Sequence, residues 1–356
     1  MIIAGGGTGG HFFPALAVAQ AAAARRPSAR ILFVGTRKGI EARLAPGSGF
    51  PLRTLAASGF AGVGAWKRLA ALASVPVALA QSAWTIARFK PGVVLGVGGY
   101  ASFPMGLAAG LSGVPLLLLE QNVTPGLSNR LLGRLARVTA VAFPQTLEAC
   151  PGKGRLMGNP VRASLTNVGP EAEPAAPLRL LVFGGSRGAR AINEAFVQAA
   201  PRLAAFPGGL EVRHQTGTDD VERVRRAYAE AGVRARVEPF IDAMDEAYGW
   251  CHACVCRAGA TTVAELAAVG RPALLVPFPH AAGDHQTMNA KGLAELGGSL
   301  WMDQAALTTD SLLAALGELA SPERRRAMAS KLRGLARPKA AEEIAALAAA
   351  MAGGGA

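Results

Sequence analysis

Short apolar segments recur along the chain, and a glycine-rich or polar segment follows most of them. Such continuous apolar runs are typical of strands that are buried on both faces of a parallel sheet. The sequence predicts strands at residues 1–4, 30–35, 91–96, 114–120, 138–143, 178–183, 211–215, 235–240, 253–256 and 273–278. Helical stretches lie between or after them, at 14–24, 40–44, 66–90, 129–137, 190–203, 221–231, 244–250, 263–269 and 312–351. This alternation of strand and helix predicts an α/β protein.

The two halves of the chain repeat one plan. Residues 93–119 and 254–278 each run from a strand through a glycine turn and a small-residue helix to Gly-x-Pro and a second apolar strand. A shift to Pro, Glu and Ala at 169–177 indicates a linker between the halves. We therefore expect two Rossmann-like domains with parallel sheets that face each other across a cleft, a domain count that suits 356 residues.

The segment 66–90 is the longest helical stretch of the first half. Residues 69–87 carry no charge, which raises the question of a membrane span. Alanine supplies much of this apolarity and proline interrupts it, so a buried or interfacial helix is the better prediction. Leu72, Val75 and Leu79 share one helical face, which is either a core face or a patch that touches a membrane.

Charge is distributed unevenly along the chain. The formal net charge is +13, and residues 1–160 contain sixteen Lys and Arg against three acids, so the whole excess lies in this part. A basic surface of this kind favours an anionic partner, such as a membrane, a phosphorylated acceptor or a nucleic acid. Nucleic acid is the weakest of the three, because the sequence has no helix-turn-helix, zinc-finger or aromatic RNA-binding signature.

The cysteines indicate a reducing compartment. Four cysteines in a chain of this length do not form a disulfide framework, and the start of the chain does not have the pattern of a signal peptide, so we expect a cytoplasmic protein. The spacing of Cys251, Cys254 and Cys256 around His252 resembles a metal site. Two of these cysteines fall inside a predicted apolar strand and no second pair exists, which favours small buried residues over zinc ligands.

The most distinctive segment is the glycine loop at residues 5–10, between the first strand and the first helix. Glycine lets backbone N–H groups approach a ligand closely, and the N-terminus of the following helix favours an anion. Loops at the carboxyl ends of parallel strands are also where α/β proteins bind small molecules. His11 follows the loop, and because imidazoles titrate near neutrality it is the candidate catalytic base.

Other loops exclude several kinds of chemistry. Glycine turns follow predicted strands at 98–104, 184–189 and 257–262, and no Walker A lysine follows any of them, which argues against ATP hydrolysis. The second strand also lacks the terminal acid that binds ribose in dinucleotide-binding folds. There is no Asp-x-Asp, which Mg²⁺-dependent sugar-nucleotide enzymes commonly use, so we expect neither a metal nor a cofactor.

Taken together, these segments resemble the MurG family of bacterial glycosyltransferases, glycosyltransferase family 28. The matching segments are 5–14, 96–104, 120–122, 158–162, 184–189, 240–242, 256–265, 277–278 and 284–290. One glycine loop is weak evidence, but the joint order and spacing of these segments is specific. The resemblance implies a GT-B fold. It implies an N-terminal acceptor and membrane-associated domain of residues 1–162, with the last helix (about 338–356) packing back on it, and a UDP-GlcNAc-binding domain of residues 163–337.

The resemblance also implies site residues. His11 is implied as the catalytic base, and Tyr100 and Ser102 as residues on the acceptor side. The donor is implied to contact Thr8, Gly9, Gly10, Asn122, Arg162, Ser186, Ile241, Ala260, Thr261, Thr262, Val263, Ala264, Glu265 and Gln286. Physical chemistry agrees for Glu265, since its carboxylate can accept hydrogen bonds from ribose hydroxyls while the amides of its helix N-terminus face a diphosphate.

The reaction that the resemblance implies is inverting transfer of GlcNAc from UDP-GlcNAc to the MurNAc C4 hydroxyl of lipid I, which forms lipid II. This reaction belongs to peptidoglycan synthesis, and therefore to cell-wall biogenesis, cell shape, cell division and the cell cycle. The implied location is peripheral, on the cytoplasmic face of the bacterial inner membrane, with an anionic membrane surface and cell-wall synthesis proteins as further candidate partners.

Two departures from the family and two alternatives remain. Family members often have a histidine before the Glu-Gln-Asn segment, where this chain has Leu119, and residues 60–65 lack basic side chains that acceptor-side loops use. The alternatives are a related lipid glycosyltransferase, such as a diacylglycerol galactosyltransferase, and a catalytically silent sugar-nucleotide-binding subunit.

Overall fold

A computed structural model describes residues 1–57, 65–150, 152–169, 176–185 and 188–353, with their side chains except at 65–73 and 282. The chain forms two compact units. Unit 1 comprises Met1–Arg162 and Arg337–Ala356, and unit 2 comprises Ala163–Ala336. Most of the predicted linker at 169–177 and of the segment 60–65 lies outside the described residues.

The strands and helices alternate in both units. The strands are β1 Ile2–Ala4, β2 Leu32–Thr36, β3 Leu52–Leu55, β4 Val94–Gly96, β5 Leu116–Glu120, β6 Val138–Val141, β7 Gly154–Leu156, β8 Leu178–Phe183, β9 Leu210–Gln215, β10 Arg234–Glu238, β11 Ala253–Cys256, β12 Ala273–Leu275 and β13 Leu300–Trp301. The helices are α1 Gly9–Arg25, α2 Ile40–Leu44, α3 Ala65–Phe89, α4 Ser102–Leu111, α5 Leu127–Leu132, α6 Ala163–Thr166, α7 Arg190–Ala204, α8 Val221–Ala231, α9 Met244–Trp250, α10 Ala260–Val269, α11 His285–Glu295, α12 Thr309–Ala320, α13 Pro322–Leu335 and α14 Ala340–Ala352.

Unit 1 is built on a parallel sheet of seven strands in the order β3-β2-β1-β4-β5-β6-β7. The register places Ile2 beside Leu32 on one side and beside Val94 on the other. The chain therefore changes direction across the sheet between β1 and β4. In open α/β sheets such a switch point opens a crevice at the carboxyl ends of the two strands, and here the loops after β1 and β4 occupy it.

Helices cover both faces of this sheet, because side chains alternate along each strand. One face packs against α3, α4 and α5 through residues such as Ile2, Met105 and Leu132. The other face packs against α1 and α14 through residues such as Phe12 and Ile344. The last helix of the chain is therefore part of the core of unit 1.

Unit 2 repeats the architecture with six parallel strands in the order β10-β9-β8-β11-β12-β13. Its switch point lies between β8 and β11, so the glycine loop at 184–189 and the loop at 257–259 share one edge of the sheet. Helices α7, α8 and α12 form the main core with β8 and β9, through residues such as Phe196, Tyr228 and Leu316.

The predicted strands and most predicted helices are present, with four differences. Helix α1 begins at Gly9 rather than at 14, so His11 lies in its first turn. Helix α5 ends at Leu132, short of the predicted 137. The long helix predicted at 312–351 is three helices, and Pro322 begins the second of them, as proline favours the first helical turn. Strands β7 and β13 and helices α6 and α11 were not predicted, and β3 lies in the segment 50–63, for which the sequence predicts a mixture of strand and loop.

Helix α3 decides part of the question left open for 66–90. Leu79 is half-buried and packs against the core, and Val75 is also half-buried, while the side chain of Leu72 lies outside the described residues. Among the side chains described for residues 74–89, the large apolar ones that are exposed are instead Val77 and Trp84, at 51% and 54% exposure. Over the described part of the chain, no helix combines the length and the apolarity that a membrane crossing requires.

Candidate active site

The two glycine loops of unit 1 interlock at the switch point. A Cβ atom on Gly99 would lie 2.2 Å from the Gly6 carbonyl oxygen, and a Cβ on Gly5 would lie 2.4 Å from the Gly98 carbonyl oxygen. No side chain fits at such distances. The glycines therefore allow the loop after β1 and the loop after β4 to pack backbone against backbone.

His11 projects from the first turn of α1 beside these loops. Its Nδ1 lies 3.2 Å from the Thr8 hydroxyl oxygen. A Cβ on Gly98 would approach His11 Nε2 to 3.0 Å, so the glycine at 98 makes room for the imidazole. The side chain is half-buried, and Thr8, Gly9 and Gly10 beside it are exposed or half-buried. Thr8 thus lies at one ring nitrogen of the predicted base, and Gly98 lies beside the other.

The acceptor-side residues differ in their surroundings. Tyr100 is 43% exposed, and its ring lies 3.8 Å from where a Cβ on Gly7 would be. Ser102 is fully buried, and its hydroxyl oxygen accepts a 3.4 Å hydrogen bond from the Gly98 N–H. Tyr100 is accessible to a ligand, whereas Ser102 supports the loop from inside.

The Glu-Gln-Asn segment ends β5 at the same edge of the sheet. Glu120 is buried, and its carboxylate accepts hydrogen bonds from the Asn122 N–H at 3.0 Å and the Gly126 N–H at 2.9 Å. Gln121 is buried and donates to the Val97 carbonyl oxygen at 2.9 Å. Asn122 is half-buried, and its side-chain amide donates to Glu120 Oε1 at 3.3 Å. Of the three, Asn122 is the residue whose side chain reaches the surface.

Arg162 ends the first segment of unit 1. Its guanidinium lies 5.1 Å from the centre of the Phe13 ring, which follows His11 by two positions. Cation–π contacts of this kind orient an arginine. The contact therefore holds the guanidinium of Arg162 close to the N-terminal turn of α1.

In unit 2, the candidate donor residues gather on α10. The helix begins at Ala260, with Gly259 as its N-cap in extended conformation, and Thr261 and Thr262 are half-buried in its first turn. Glu265 is buried and accepts a hydrogen bond from the Tyr248 hydroxyl at 3.2 Å. Burial raises the pKa of Tyr248 well above its usual value, so the phenol remains a donor. Val263 is buried and Ala264 is half-buried, and the Val263 N–H donates to the Gly259 carbonyl oxygen at 2.9 Å.

Two further candidates lie on neighbouring loops. The side chain of Ile241 is buried, so a ligand could contact this residue only through its backbone. Gln286 is half-buried, and its side-chain oxygen accepts the Phe278 N–H at 2.9 Å. Arg257 donates to the Val276 and Pro277 carbonyl oxygens at 3.1 and 2.9 Å, and thereby fixes the same loop. Ser186, the remaining candidate, lies outside the described residues.

A buried polar network supports the glycine loop of unit 2. Gln215 donates to the Gly185 carbonyl oxygen at 2.7 Å, and a Cβ on Gly188 would lie 1.9 Å from the Thr216 carbonyl oxygen. Asn193 donates to that same Thr216 oxygen at 2.9 Å and lies 3.1 Å from His214 Nε2. Burial lowers the pKa of His214 to about 3, so its imidazole is neutral near pH 7.

The sequence reasoning missed these supporting residues. Asn193 and His214 come together from segments 21 residues apart. In unit 1 it also missed Glu41, a buried carboxylate that accepts the Gly7 N–H at 2.7 Å. None of these residues belongs to a glycine motif, so no sequence pattern marks them as neighbours of the loops.

The cysteine cluster is fully buried. Cys254 and Cys256 lie in β11, and the sulfur atoms of Cys251 and Cys254 are 3.8 Å apart. Burial raises the pKa of the Cys256 thiol and that of Cys254 well above their usual value. Cys254 and Cys256 are therefore neutral thiols packed inside unit 2.

Known protein families and relatives match most of the residues of both units. The family model described as "Glycosyltransferase family 28 N-terminal domain" matches residues 1–141. The model described as "Glycosyltransferase family 28 C-terminal domain" matches residues 179–344. A protein of Myxococcus xanthus (strain DK1622) is 44% identical and shares 97% of this chain and 91% of its own length. A protein of Syntrophotalea carbinolica is 47% identical and shares 90% of this chain and 89% of its own. Both are named UDP-N-acetylglucosamine–N-acetylmuramyl-(pentapeptide) pyrophosphoryl-undecaprenol N-acetylglucosamine transferase.

Solved structures agree with these matches. The crystal structure of Acinetobacter baumannii MurG has a TM-score of 0.78 at 33% identity, with 98% of each chain covered. The calicheamicin glycosyltransferase CalG4 shares the fold at 19% identity and a TM-score of 0.66. The expected GT-B class is thereby confirmed for the two parallel α/β sheets. At these identities over nearly the full length, the chain belongs to glycosyltransferase family 28.

Proposed function

We propose that this chain transfers GlcNAc from UDP-GlcNAc to the C4 hydroxyl of MurNAc in lipid I and so forms lipid II. The observation that carries the proposal is the 44% and 47% identity, over nearly the full length, to relatives whose names state this transfer. The glycine loops, the N-terminus of α10 and the half-buried imidazole supply groups suited to its chemistry.

The proposed reaction is a single displacement with inversion. The acceptor hydroxyl oxygen forms a bond to the anomeric carbon while the bond from that carbon to the UDP oxygen breaks. The UDP leaves with the electron pair, and the hydroxyl proton passes to His11, a general base. Backbone amides at the N-terminus of α10 stabilise the charge that develops on the departing diphosphate.

The contact between Thr8 and His11 restricts how the imidazole can act. A neutral imidazole has one protonated and one unprotonated nitrogen. If Nδ1 carries the hydrogen and donates it to the Thr8 hydroxyl oxygen, Nε2 is left as the proton acceptor. The proposed base is therefore Nε2, the nitrogen beside Gly98.

The donor is proposed to bind mainly through unit 2. Glu265 accepts hydrogen bonds from the ribose hydroxyls, Ile241 reads the uracil through its backbone, and Gln286 binds the sugar. The other donor contacts are proposed at Thr8, Gly9, Gly10, Asn122, Arg162, Ser186, Ala260, Thr261, Thr262, Val263 and Ala264. On the acceptor side, Tyr100 contacts lipid I and Ser102 supports its loop, in keeping with their exposure.

Turnover assays with defined substrates test the proposed function. Purified protein should release UDP from UDP-GlcNAc only when a lipid I analogue is present, and the product should carry an added GlcNAc. Parallel reactions with UDP-galactose and diacylglycerol test the related lipid glycosyltransferase. Turnover of diacylglycerol instead, or UDP-GlcNAc binding without any transfer, would contradict the proposal.

We also infer that unit 1 binds an anionic membrane surface, at the cytoplasmic face of the inner membrane where the family's lipid acceptor would be met. The face formed by α3, α4 and α5 carries exposed apolar side chains, namely Val77, Trp84, Leu111, Leu127, Leu131 and Leu135. Leu127 and Leu131 are spaced four residues apart on α5, and Leu135 follows that helix. The exposed Arg130, Arg134 and Arg137 lie between or directly after them in sequence.

Few exposed acids offset the positive charge of residues 1–160. Residues 1–160 contain three acids, and two of them, Glu41 and Glu120, are buried in loop contacts. Only Glu148 among these three is exposed to solvent. Basic residues near an anionic leaflet contribute about 1 kcal/mol each, screened over roughly 10 Å at 0.1 M salt.

Vesicle sedimentation tests this surface. Full-length protein should bind anionic vesicles with an affinity that falls steeply as salt rises, and Leu127→Asp with Leu131→Asp should weaken that binding without unfolding. The matched control is Leu296→Asp, which changes an exposed leucine of unit 2. Binding that ignores lipid charge, or a double variant that binds like the control, would contradict this surface.

A further inference from the structure

A buried carboxylate lies directly behind the glycine loop of unit 1. Glu41 belongs to the short helix α2 and is 1% exposed. Its Oε2 accepts the Gly7 N–H at 2.7 Å. Its Oε1 accepts the Thr36 N–H at 2.8 Å and the Thr36 hydroxyl at 3.0 Å. Because Thr36 ends β2 and Gly7 follows β1, this one side chain joins the ends of two neighbouring strands.

The surrounding backbone leaves room for this carboxylate and for nothing larger. A Cβ on Gly6 would lie 2.3 Å from the Glu41 side chain, and a Cβ on Gly35 would also lie 2.3 Å from it. A Cβ on Gly39 would lie 2.2 Å from one of its oxygens. Three glycines from three segments thus form the slot that holds Glu41.

The loop that Glu41 contacts has a backbone that needs support. Gly5, Gly6 and Gly7 have φ values of +151°, +136° and +91°, a region that L-residues rarely adopt. The Gly5 N–H donates to the Val34 carbonyl oxygen at 3.0 Å, and the Gly7 N–H donates to Glu41. After Gly7 come Thr8, the N-cap of α1, and then His11. The Glu41 contact is therefore the last anchor before the turn that carries the imidazole.

We propose that Glu41 is a positioning residue for the transfer reaction: it fixes the Gly7 peptide so that Thr8 and His11 face the substrates. A carboxylate is acceptor-only, and here it meets three donors, so both oxygens are needed. Holding the Gly7 N–H with an internal anion also directs substrate oxygens to the amides that follow, in the first turn of α1. This inference rests on the proposed function.

The substitution Glu41→Gln tests it with little change in volume. One end of the amide is a donor and would face an N–H or O–H donor, so at least one hydrogen bond of the slot is lost. We expect kcat to fall by about 10- to 100-fold, since a displacement of about 1 Å costs as much as 100-fold. The UDP dissociation constant from calorimetry should stay at the wild-type value. The acid and alkaline limbs of the plot of kcat against pH should move. The control is Glu148→Gln, an exposed acid of the same unit.

A second variant keeps the inference testable if Glu41→Gln does not fold. Thr36→Val keeps the shape of a strand residue and removes only the hydroxyl donor, and we expect a kcat decrease of a few fold with unchanged UDP binding. Wild-type kcat in Glu41→Gln, or a loss of activity that only follows its folded fraction, would overturn the inference. Should Glu41→Gln be unfolded, wild-type kcat in Thr36→Val would overturn it as well.

The proposed function and this inference fail in different ways. If wild-type protein has no transferase activity, the proposed function fails. Amide hydrogen exchange across residues 5–12 then still tests the anchor, because Glu41→Gln should raise exchange there and Glu148→Gln should not. If the wild type is active and His11→Ala is not, while Glu41→Gln is fully active with unchanged exchange, only the role of Glu41 is wrong.

Discussion

The first glycine loops of the two units are held by different chemistry. In unit 1 a buried carboxylate, Glu41, accepts the Gly7 N–H. In unit 2 the side-chain amide of Gln215 donates to the Gly185 carbonyl oxygen. The next residue in the network is a neutral His214, whose Nε2 lies within hydrogen-bond distance of the Asn193 side-chain oxygen. The strand order on either side of the loop is the same in both units, so the difference lies in the charge placed behind each loop.

This difference is one of charge, and a charge behind a loop acts on any anion that the loop meets. A fixed negative charge opposes a nearby diphosphate, whereas amides and a neutral imidazole add none. The acid in the unit 2 network, Asp220, is offset by Arg223 at 2.9 Å. In unit 1 the Glu41 carboxylate faces three hydrogen-bond donors of its own, and the proposed donor contacts Thr8, Gly9 and Gly10 lie beyond the Gly7 N–H that it holds. The two units thus use one backbone plan with supports of different charge.

The largest effect should come from the unit 1 side of this comparison. His11→Ala removes the proposed base, and we expect kcat to fall by roughly 10²- to 10⁴-fold, the usual range for general-base catalysis. UDP affinity should remain near the wild-type value, because the donor is proposed to bind mainly through unit 2. Steady-state kinetics with calorimetry separates the two quantities. A variant with near-normal kcat would remove His11 from the mechanism.

The matching change in unit 2 should weaken binding. Glu265→Ala removes the proposed carboxylate acceptor for ribose hydroxyls, and we expect UDP to bind more weakly by about 1–3 kcal/mol. Calorimetry with UDP measures this loss, with Glu295→Ala as the control for an exposed acid of the same unit. UDP affinity equal to that of the control would place Glu265 outside the donor site.

The neutral support of unit 2 predicts a dependence of stability on pH. Burial lowers the pKa of His214 from 6.5 to about 3, so below pH 6.5 the unfolded chain binds a proton that the folded chain does not. The free energy of unfolding should therefore fall as the pH drops from 6.5 towards 3, by about 1.4 kcal/mol per pH unit from this group. Above pH 6.5 the group adds no dependence.

Denaturant unfolding at several pH values checks this expectation. His214→Gln should flatten the slope between pH 6.5 and 4, while His280→Gln, which changes an exposed histidine, should leave it unchanged. Equal slopes in the two variants would show that His214 is not the group that titrates on unfolding.

The smallest expected effect is that of chelation. The sequence has no Asp-x-Asp, and we propose that helix amides rather than a cation stabilise the diphosphate. Activity should therefore persist in excess EDTA. Loss of activity on chelation with recovery in Mg²⁺ or Mn²⁺ would contradict the metal-free mechanism.

The sequence predicted the parts of the fold that depend on local patterns. Apolar runs such as 114–120 and 178–183 gave strands because buried parallel strands are apolar throughout. Helix α11 was missed because His285–Glu295 is mostly polar and lacks a regular apolar face. The start of α1 was placed too late because Gly9 and Gly10 disfavour a helix locally, and packing of Phe12 in the core overrides that preference.

The glycine loops could be predicted, but not the residues that support them. Arg37 and Lys38 precede Glu41, and Arg43 follows it. A segment with this many charges is typical of a solvent-exposed turn. The burial of Glu41 depends on Gly6 and Thr36, which reach it from other strands. The exposure of Val77 rather than Leu79 also depends on which neighbours cover α3. These features are set by tertiary packing, which a single sequence does not display.

The discontinuity of unit 1 has a consequence for the order of biosynthesis. Ile344 and Ala348 of α14 pack against the same sheet face as Phe12 of α1, yet the ribosome makes all of unit 2 before it makes α14. Residues 163–336 can complete their core while that face of unit 1 is still uncovered. During translation the apolar side of α1 therefore stays uncovered until α14 is made, and transiently exposed apolar surface of this kind is prone to aggregation.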